Sequence, residues 1–152
     1  MIRLATPKDQ AHLARITRDA YEGYVSRIGA RPAPMMVDYG ALIRQQTVWV
    51  ADKPPVVGLI IMYPDGTDWA IESLAVDPIH HGQGLGAALL DFAEQKAQAA
   101  GARAVSLYTN AAMTENLSFY PAHGYVEVSR RIEDGFSRVY FRKEITHTEI
   151  ID

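Results

Sequence analysis

The chain opens on an alternation, Ile2-Arg-Leu-Ala5, that predicts a short half-buried strand. From Thr6 the period lengthens. Leu13, Ile16, Ala20 and Tyr24 keep helical spacing behind Thr6 as a cap, Pro7 at the first helical position and Asp9 in the first turn. Gly23 and Gly29 weaken this helix, and Arg31-Pro-Ala-Pro34 breaks it. Met36, Tyr39, Leu42 and Ile43 predict a second helix over about 35–46. Strands follow at 47–51, 56–63 and 69–76, parted by the turn residues Asp52-Lys-Pro-Pro55 and Pro64-Asp-Gly66. The second turn is short, so the strands flanking it should run antiparallel. A long amphipathic helix begins near Leu85, with Leu85, Leu89, Phe92 and Ala93 on one stripe, and Gly101 supplies its stop. Last come a strand at 104–109, a short helix at about 114–122, and strands at 125–132 and 136–143 joined by Glu133-Asp-Gly135. Pro121 should end or kink the short helix.

The order is therefore β-α-α-β-β-β-α-β-α-β-β. Strands on both sides of the long helix imply a mixed, mostly antiparallel sheet of about seven strands with about four helices, a three-layer α/β or α+β sandwich. At 152 residues, 48% hydrophobic and 22% charged, one domain over 1–152 with a real core is expected. No linker or repeat divides it. No apolar run approaches the roughly 20 residues of a membrane span, and the opening MIRLATPKDQ has no signal-peptide core, so a cytoplasmic protein without membrane attachment is expected. The absence of cysteine excludes disulfides, a thiolate metal site and a covalent thiol mechanism. A net charge of -3 and the lack of a basic stripe argue against nucleic acid.

The stretch with most chemistry is the turn between strand 69–76 and the long helix. Asp77-Pro78 stops the strand, and Gly82, Gly84 and Gly86 leave a backbone without side chains to obstruct a ligand. A glycine-rich turn feeding a helix N-terminus suits an anion, because the first-turn N–H groups lack helical partners and the helix dipole is positive there. A Walker A loop needs Gly-Lys and then Ser or Thr, and no lysine lies between Lys53 and Lys96. A Rossmann fingerprint needs G-x-G-x-x-G, whereas this turn is G-x-G-x-G. Both common phosphate motifs fail, which disfavours a nucleotide-dependent enzyme.

Val76-Asp77-Pro78 followed by His81-Gly82-Gln83-Gly84-Leu85-Gly86 instead resembles the acetyl-coenzyme A loop of the GNAT acetyltransferase superfamily. The family pattern is a strand ending V-x-P, then Arg or Gln-x-x-Gly-x-Gly or Ala opening a helix. The spacing is complete, with His81 standing where the family usually has Arg or Gln. A second segment, Asn116-Leu-Ser-Phe119-Tyr120-Pro-Ala-His123-Gly124-Tyr125, looks like the family's N…F/L-Y-x-x-x-G-F/Y. The order of elements also coincides with the GNAT fold, so the resemblance spans nearly the whole chain. It implies that pantetheine lies along Leu74, Ala75 and Val76, that His81, Gly82, Gln83, Gly84, Leu85, Gly86 and Ala87 cradle the pyrophosphate, and that the Leu74 N–H polarises the acetyl carbonyl. Leu74 and Val76 can pack in the core at the same time, since backbone binds while side chain packs.

Acetyl transfer to an amine needs a base for the amine and an acid for the departing thiolate. Glu72 is the one charge within an otherwise apolar strand, and family members often use a glutamate in this part of it. Its reference pKa of about 4.3 calls for desolvation or a relaying water. The alternative is a carboxylate on the solvated end of the sheet, or one that binds a cationic acceptor. Tyr120 is the candidate acid, a phenol of pKa about 10 facing a thiolate of about 8.5; the alternative is an aromatic that fills the gap between helix and sheet. Asn116 shares a helix face with Tyr120 and is either a cofactor contact or a capping residue. His80, His81 and His123 lie at no zinc-binding spacing, so no metal is expected. By resemblance Tyr21, Tyr24 and residues 27–36 border the acceptor, with helix packing the simpler reading of both tyrosines. The resemblance implies an N-acetyltransferase that moves the acetyl group of acetyl-CoA directly to a primary amine of a small molecule or peptide. A non-catalytic acyl-CoA sensor of the same fold is the alternative, and homodimerisation, common for the fold, stays open.

Overall fold

A computed structural model describes residues 1–146. Seven strands form one sheet: β1 (Ile2–Leu4), β2 (Val48–Asp52), β3 (Val56–Asp65), β4 (Asp68–Val76), β5 (Ala104–Asn110), β6 (Val126–Glu133) and β7 (Phe136–Glu144). Their spatial order is β1-β2-β3-β4-β5-β7-β6. Every pair is antiparallel except β4 with β5. That exception follows from the helix α4 (Leu85–Ala99), which carries the chain from the end of β4 back to the start of β5.

The helices sit in two layers. On one face α4 buries Leu89, Leu90, Ala93 and Ala97 against Val57, Ile60, Ile71, Val105 and Phe141, joined by Tyr120 of α5 (Thr114–Ala122). On the other, α1 (Gln10–Tyr21) and α3 (Tyr39–Arg44) bury Leu13, Ile16 and Ile43 against Val48, Val50, Leu59 and Ile61. β3 is covered on both faces, which is why it reads as an unbroken apolar run.

Three expected elements differ. The first helix is not continuous to Tyr24: α1 ends at Tyr21, a 3-10 turn covers Glu22–Tyr24, and a single turn α2 (Val25–Ile28) follows before Gly29 at φ 81. The helix expected over 35–46 is a 3-10 turn at Ala33–Met36 and then α3, because the Asp38 side chain accepts from the Ala41 N–H at 3.1 Å and starts a new helix there. The turn expected at Pro64-Asp-Gly66 lies later. β3 runs through Pro64 to Asp65, which pairs with Asp68, leaving Gly66 and Thr67 as a two-residue hairpin loop.

One irregularity shapes the site. In the β3–β4 ladder Ile61 pairs with Ser73 and Met62 with Ile71, so Glu72 is an extra residue on β4. Beyond it the side chains change face: Trp69 and Ile71 lie in the α4 core, Ala75 lies in the α1 core, and Leu74 and Val76 pack toward α4. β4 and β5 meet only at Trp69–Ile71 opposite Val105–Leu107, and past that point the strands diverge.

Candidate active site

The divergence leaves one edge of β4 without a strand. The Asp77 N–H donates to Val57 O of β3, so by alternation the main-chain groups of Leu74 and Val76 face the opening. Side chains already reach two of them: the Tyr21 hydroxyl donates to Leu74 O at 3.2 Å, and His81 Nε2 lies 3.1 Å from Val76 O, donating in the tautomer protonated there. A cavity of about 400 Å³ runs along this edge. One wall is built from residues 74–76, 80–82 and 84–86, and the other from Tyr21, Tyr24, Asn116, Phe119 and Tyr120.

At the outer end of this cavity the turn enters α4 with Gly82 at φ 80 and Gly84 at φ 77, left-handed backbone that side-chain-bearing residues rarely adopt. A Cβ at either position would meet nothing within 4 Å, so these glycines serve the path of the chain, and the space around them stays open. Ala88 N–H is the first to bond back, to Gly84 O, which leaves the N–H groups ahead of it directed out of the helix end. Oriented N–H groups, an open backbone and an unpaired strand edge fit an extended amide chain ending in a pyrophosphate, as in acetyl-CoA. Lys53, which the sequence did not single out, brings a cation to the turn through a 2.9 Å bond from Nζ to Gln83 Oε1. Gln83 and Ala87 lie outside the cavity lining.

At its inner end the groove meets a second cavity of about 50 Å³, on the α1 side of the sheet. Its walls include Glu72, Ser73, Tyr108, Asn110, Phe136 and Arg138. The two cavities share Tyr21, Leu74, Met113, Asn116 and Tyr120. The bulge brings Glu72 here, since the extra residue turns both Glu72 and Ser73 to the second cavity.

Among the described residues the Glu72 carboxylate has no hydrogen bond or ion pair, and burial alone raises its pKa above the ordinary glutamate value. Tyr120 is 6% exposed, and its hydroxyl makes no hydrogen bond to protein among the described residues. Burial, with Tyr21 adding to it, pushes this phenol well up, so it is neutral at any physiological pH. A neutral phenol thus stands where the two cavities meet and a carboxylate lines the second of them, an arrangement able to take one proton and give another.

Contacts around Tyr120 fix α5 in place. Asn116 donates from Nδ2 to Thr109 Oγ1 at 3.0 Å, tying α5 to β5 while it lines both cavities. His123 Nδ1 lies 2.8 Å from Phe119 O, and its ring rests 4.5 Å from the Phe119 ring, which stands edge-on to Tyr120. Tyr21 is more than helix packing, since it sits at the junction and meets β4. Tyr24 donates to Glu115 Oε2 at 2.8 Å beneath the Arg27 guanidinium, so this pair spans from the α1–α2 arm to α5. At the strand end, burial would raise the Asp77 carboxyl, but the Ile79 N–H and Arg15 outweigh it and keep it below its usual range. Among the described residues no cluster of three or more His, Asp or Glu side chains could hold a metal, and no helix is long and apolar enough to cross a membrane.

Comparison with known proteins gives the family. A family model for the acetyltransferase (GNAT) domain matches residues 44–127, over half of the chain. The chain belongs to the GNAT acetyltransferase family. Among solved structures, Ard1 from Thermoplasma volcanium matches at TM-score 0.77 and 20% identity, over 97% of this chain and 98% of its own. The PaiA N-acetyltransferase from Thermoplasma acidophilum, in complex with coenzyme A, matches at 0.74 and 17%, over 95% and 98%. The yncA protein from Salmonella typhimurium, with its cofactor acetyl-CoA, matches at 0.72 and 18%, over 100% and 97%. At such identities the likeness is one of fold. No curated protein sequence matches the chain.

Proposed function

We propose that residues 1–152 form one N-acetyltransferase domain that passes the acetyl group of acetyl-CoA directly to a primary amine. The observation that carries this reading is the meeting of two cavities at Leu74 and Tyr120, one running to the glycine turn and one to Glu72. The first suits the coenzyme and the second the acceptor. The 74–76 edge takes the pantetheine amides, and residues 81–87 with the α4 N-terminus take the pyrophosphate. The Leu74 N–H polarises the acetyl carbonyl. Glu72 takes the amine proton, the amine nitrogen bonds to the carbonyl carbon, the carbon–sulfur bond breaks, and Tyr120 supplies the proton to sulfur. With no cysteine in the chain, a ternary complex is the simplest route.

Calorimetric titration of acetyl-CoA, with NAD and ATP as controls and Gly84→Glu for comparison, tests the donor half. Tight binding of acetyl-CoA alone, lost in the variant, is expected. A folded protein that ignores the coenzyme would end the proposal. Binding without turnover of any amine would make the chain an acyl-CoA sensor.

A further inference from the structure

Arg138 is the cation of the acceptor cavity, and the proposed reaction does not use it. It stands on β7 opposite Asn110 of β5, with its guanidinium 4.4 Å from the centre of the Tyr108 ring and 5.9 Å from that of Phe136. The side chain is 12% exposed, yet none of its five N–H donors makes a hydrogen bond among the described residues. Its two ion pairs are long, beyond hydrogen-bond distance: Glu133 at 4.0 Å, itself engaged by the Tyr140 hydroxyl, and Asp134 at 3.7 Å, 84% exposed in the hairpin loop. Lying over the Tyr108 ring covers a face of the guanidinium and leaves its donor edges without hydrogen bonds, the geometry in which arginine takes a planar anion with two parallel bonds. Glu72, the other charge in this cavity, has neither a hydrogen bond nor an ion pair among the described residues. A mostly covered cation held by only two long ion pairs, and a half-buried anion with no protein partner among the described residues, complement a ligand with both charges.

We infer that the acceptor is a primary amine that also carries an anionic group, in the simplest case a carboxylate, with Arg138 reading the anion while the amine faces Glu72. This rests on the acetyltransferase reading and narrows its substrate class. It places amino acids and related zwitterions ahead of polyamines, whose extra positive charge would meet Arg138.

The test measures acetyl-CoA-dependent thiol release with matched acceptors: amino acids of graded length, their carboxamides, an amine phosphate and a diamine. Charge-assisted bonds to a covered guanidinium favour the carboxylates over their amides roughly ten- to a hundredfold in kcat/KM, mostly through KM. Arg138→Gln should bring that ratio close to unity, and Arg138→Lys, which keeps the charge but not the fork, should leave it intermediate. A better amine phosphate would keep the anion and change its identity. Turnover with no preference for anionic acceptors, or equal loss on acid and amide in Arg138→Gln, would overturn the inference and leave the acetyltransferase reading standing. Coenzyme binding with no acceptor of any class turned over would remove both.

Discussion

In the proposed reaction Glu72 is the base and Tyr120 the acid, and burial acts on both in the same direction with different results. Burial raises each pKa, which makes the carboxylate a better base and the phenol a weaker acid, one that holds its proton until the thiolate leaves beside it. Tyr120→Phe removes a hydroxyl that no protein group among the described residues bonds, so stability should hold while kcat falls about a hundredfold or more and coenzyme binding stays. Full turnover in that variant would remove Tyr120 from the reaction. Glu72 accepts protons only when ionised, so kcat/KM should rise with pH through a limb above 4.5, the ordinary value. Glu72→Gln should abolish that limb and leave the one belonging to the amine; an unchanged profile would mean that another group is the base. The glycines of the turn also divide. Gly84 needs its left-handed φ of 77, and Gly84→Ala should cost roughly 1–2 kcal/mol in urea denaturation. Gly86 lies inside α4, where a Cβ would meet Phe119 at an ordinary 3.5 Å, so Gly86→Ala should be neutral or stabilise by up to about 1 kcal/mol. Equal losses at both would refute this distinction.

Elements whose cause is local were legible along the chain, and those that depend on a distant partner were not. α4 starts at Leu85 and ends before Gly101 as its stripe and stop predict, and α5 runs one residue past Pro121. The break between Met36 and Tyr39 had a local signal in Asp38, but a good apolar spacing ran through it and hid the cap. Asp38→Ala should therefore cost about 1 kcal/mol, measured by denaturation, and a variant as stable as the parent would show that α3 is held by packing alone. The bulge had no signal at all. Whether Glu72 is an extra residue depends on what stands across from it on β3, and a single extra residue sends every later side chain to the opposite face. For the same reason the lining of the glycine-turn cavity, carried by two contiguous motifs, was singled out in sequence, while of the second cavity only Tyr21, Glu72, Leu74, Asn116, Tyr120 and the prolines of the 27–36 stretch were. Tyr21, Tyr108, Phe136 and Arg138 come from three separate elements, α1, β5 and β7, and Tyr21, Phe136 and Arg138 lie outside the family-matched span.

The whole molecule is two half-sheets, β1 to β4 and β5 to β6, hinged on the short parallel contact between β4 and β5 and backed by α4. Ligand that lies in the gap touches both halves, so acetyl-CoA at about a hundred times its Kd should add about 2.7 kcal/mol and raise Tm by about 5–10 °C. A global shift alone does not say where the ligand lies; amide exchange does. The N–H groups of Leu74 and Val76 face the gap with no strand beside them, whereas Ala75 between them faces β3. In the free protein the outer two should exchange faster than Ala75, because exchange follows local opening and solvent access. Acetyl-CoA lying as an extra strand on this edge would bond their N–H groups and slow both, with little change at Ala75. Coenzyme that binds tightly yet leaves Leu74 and Val76 exchanging as before would mean that pantetheine does not run along β4. Leu74 would then lose its part in polarising the carbonyl, and the gap between the half-sheets would have to be read as a cleft for the acceptor alone.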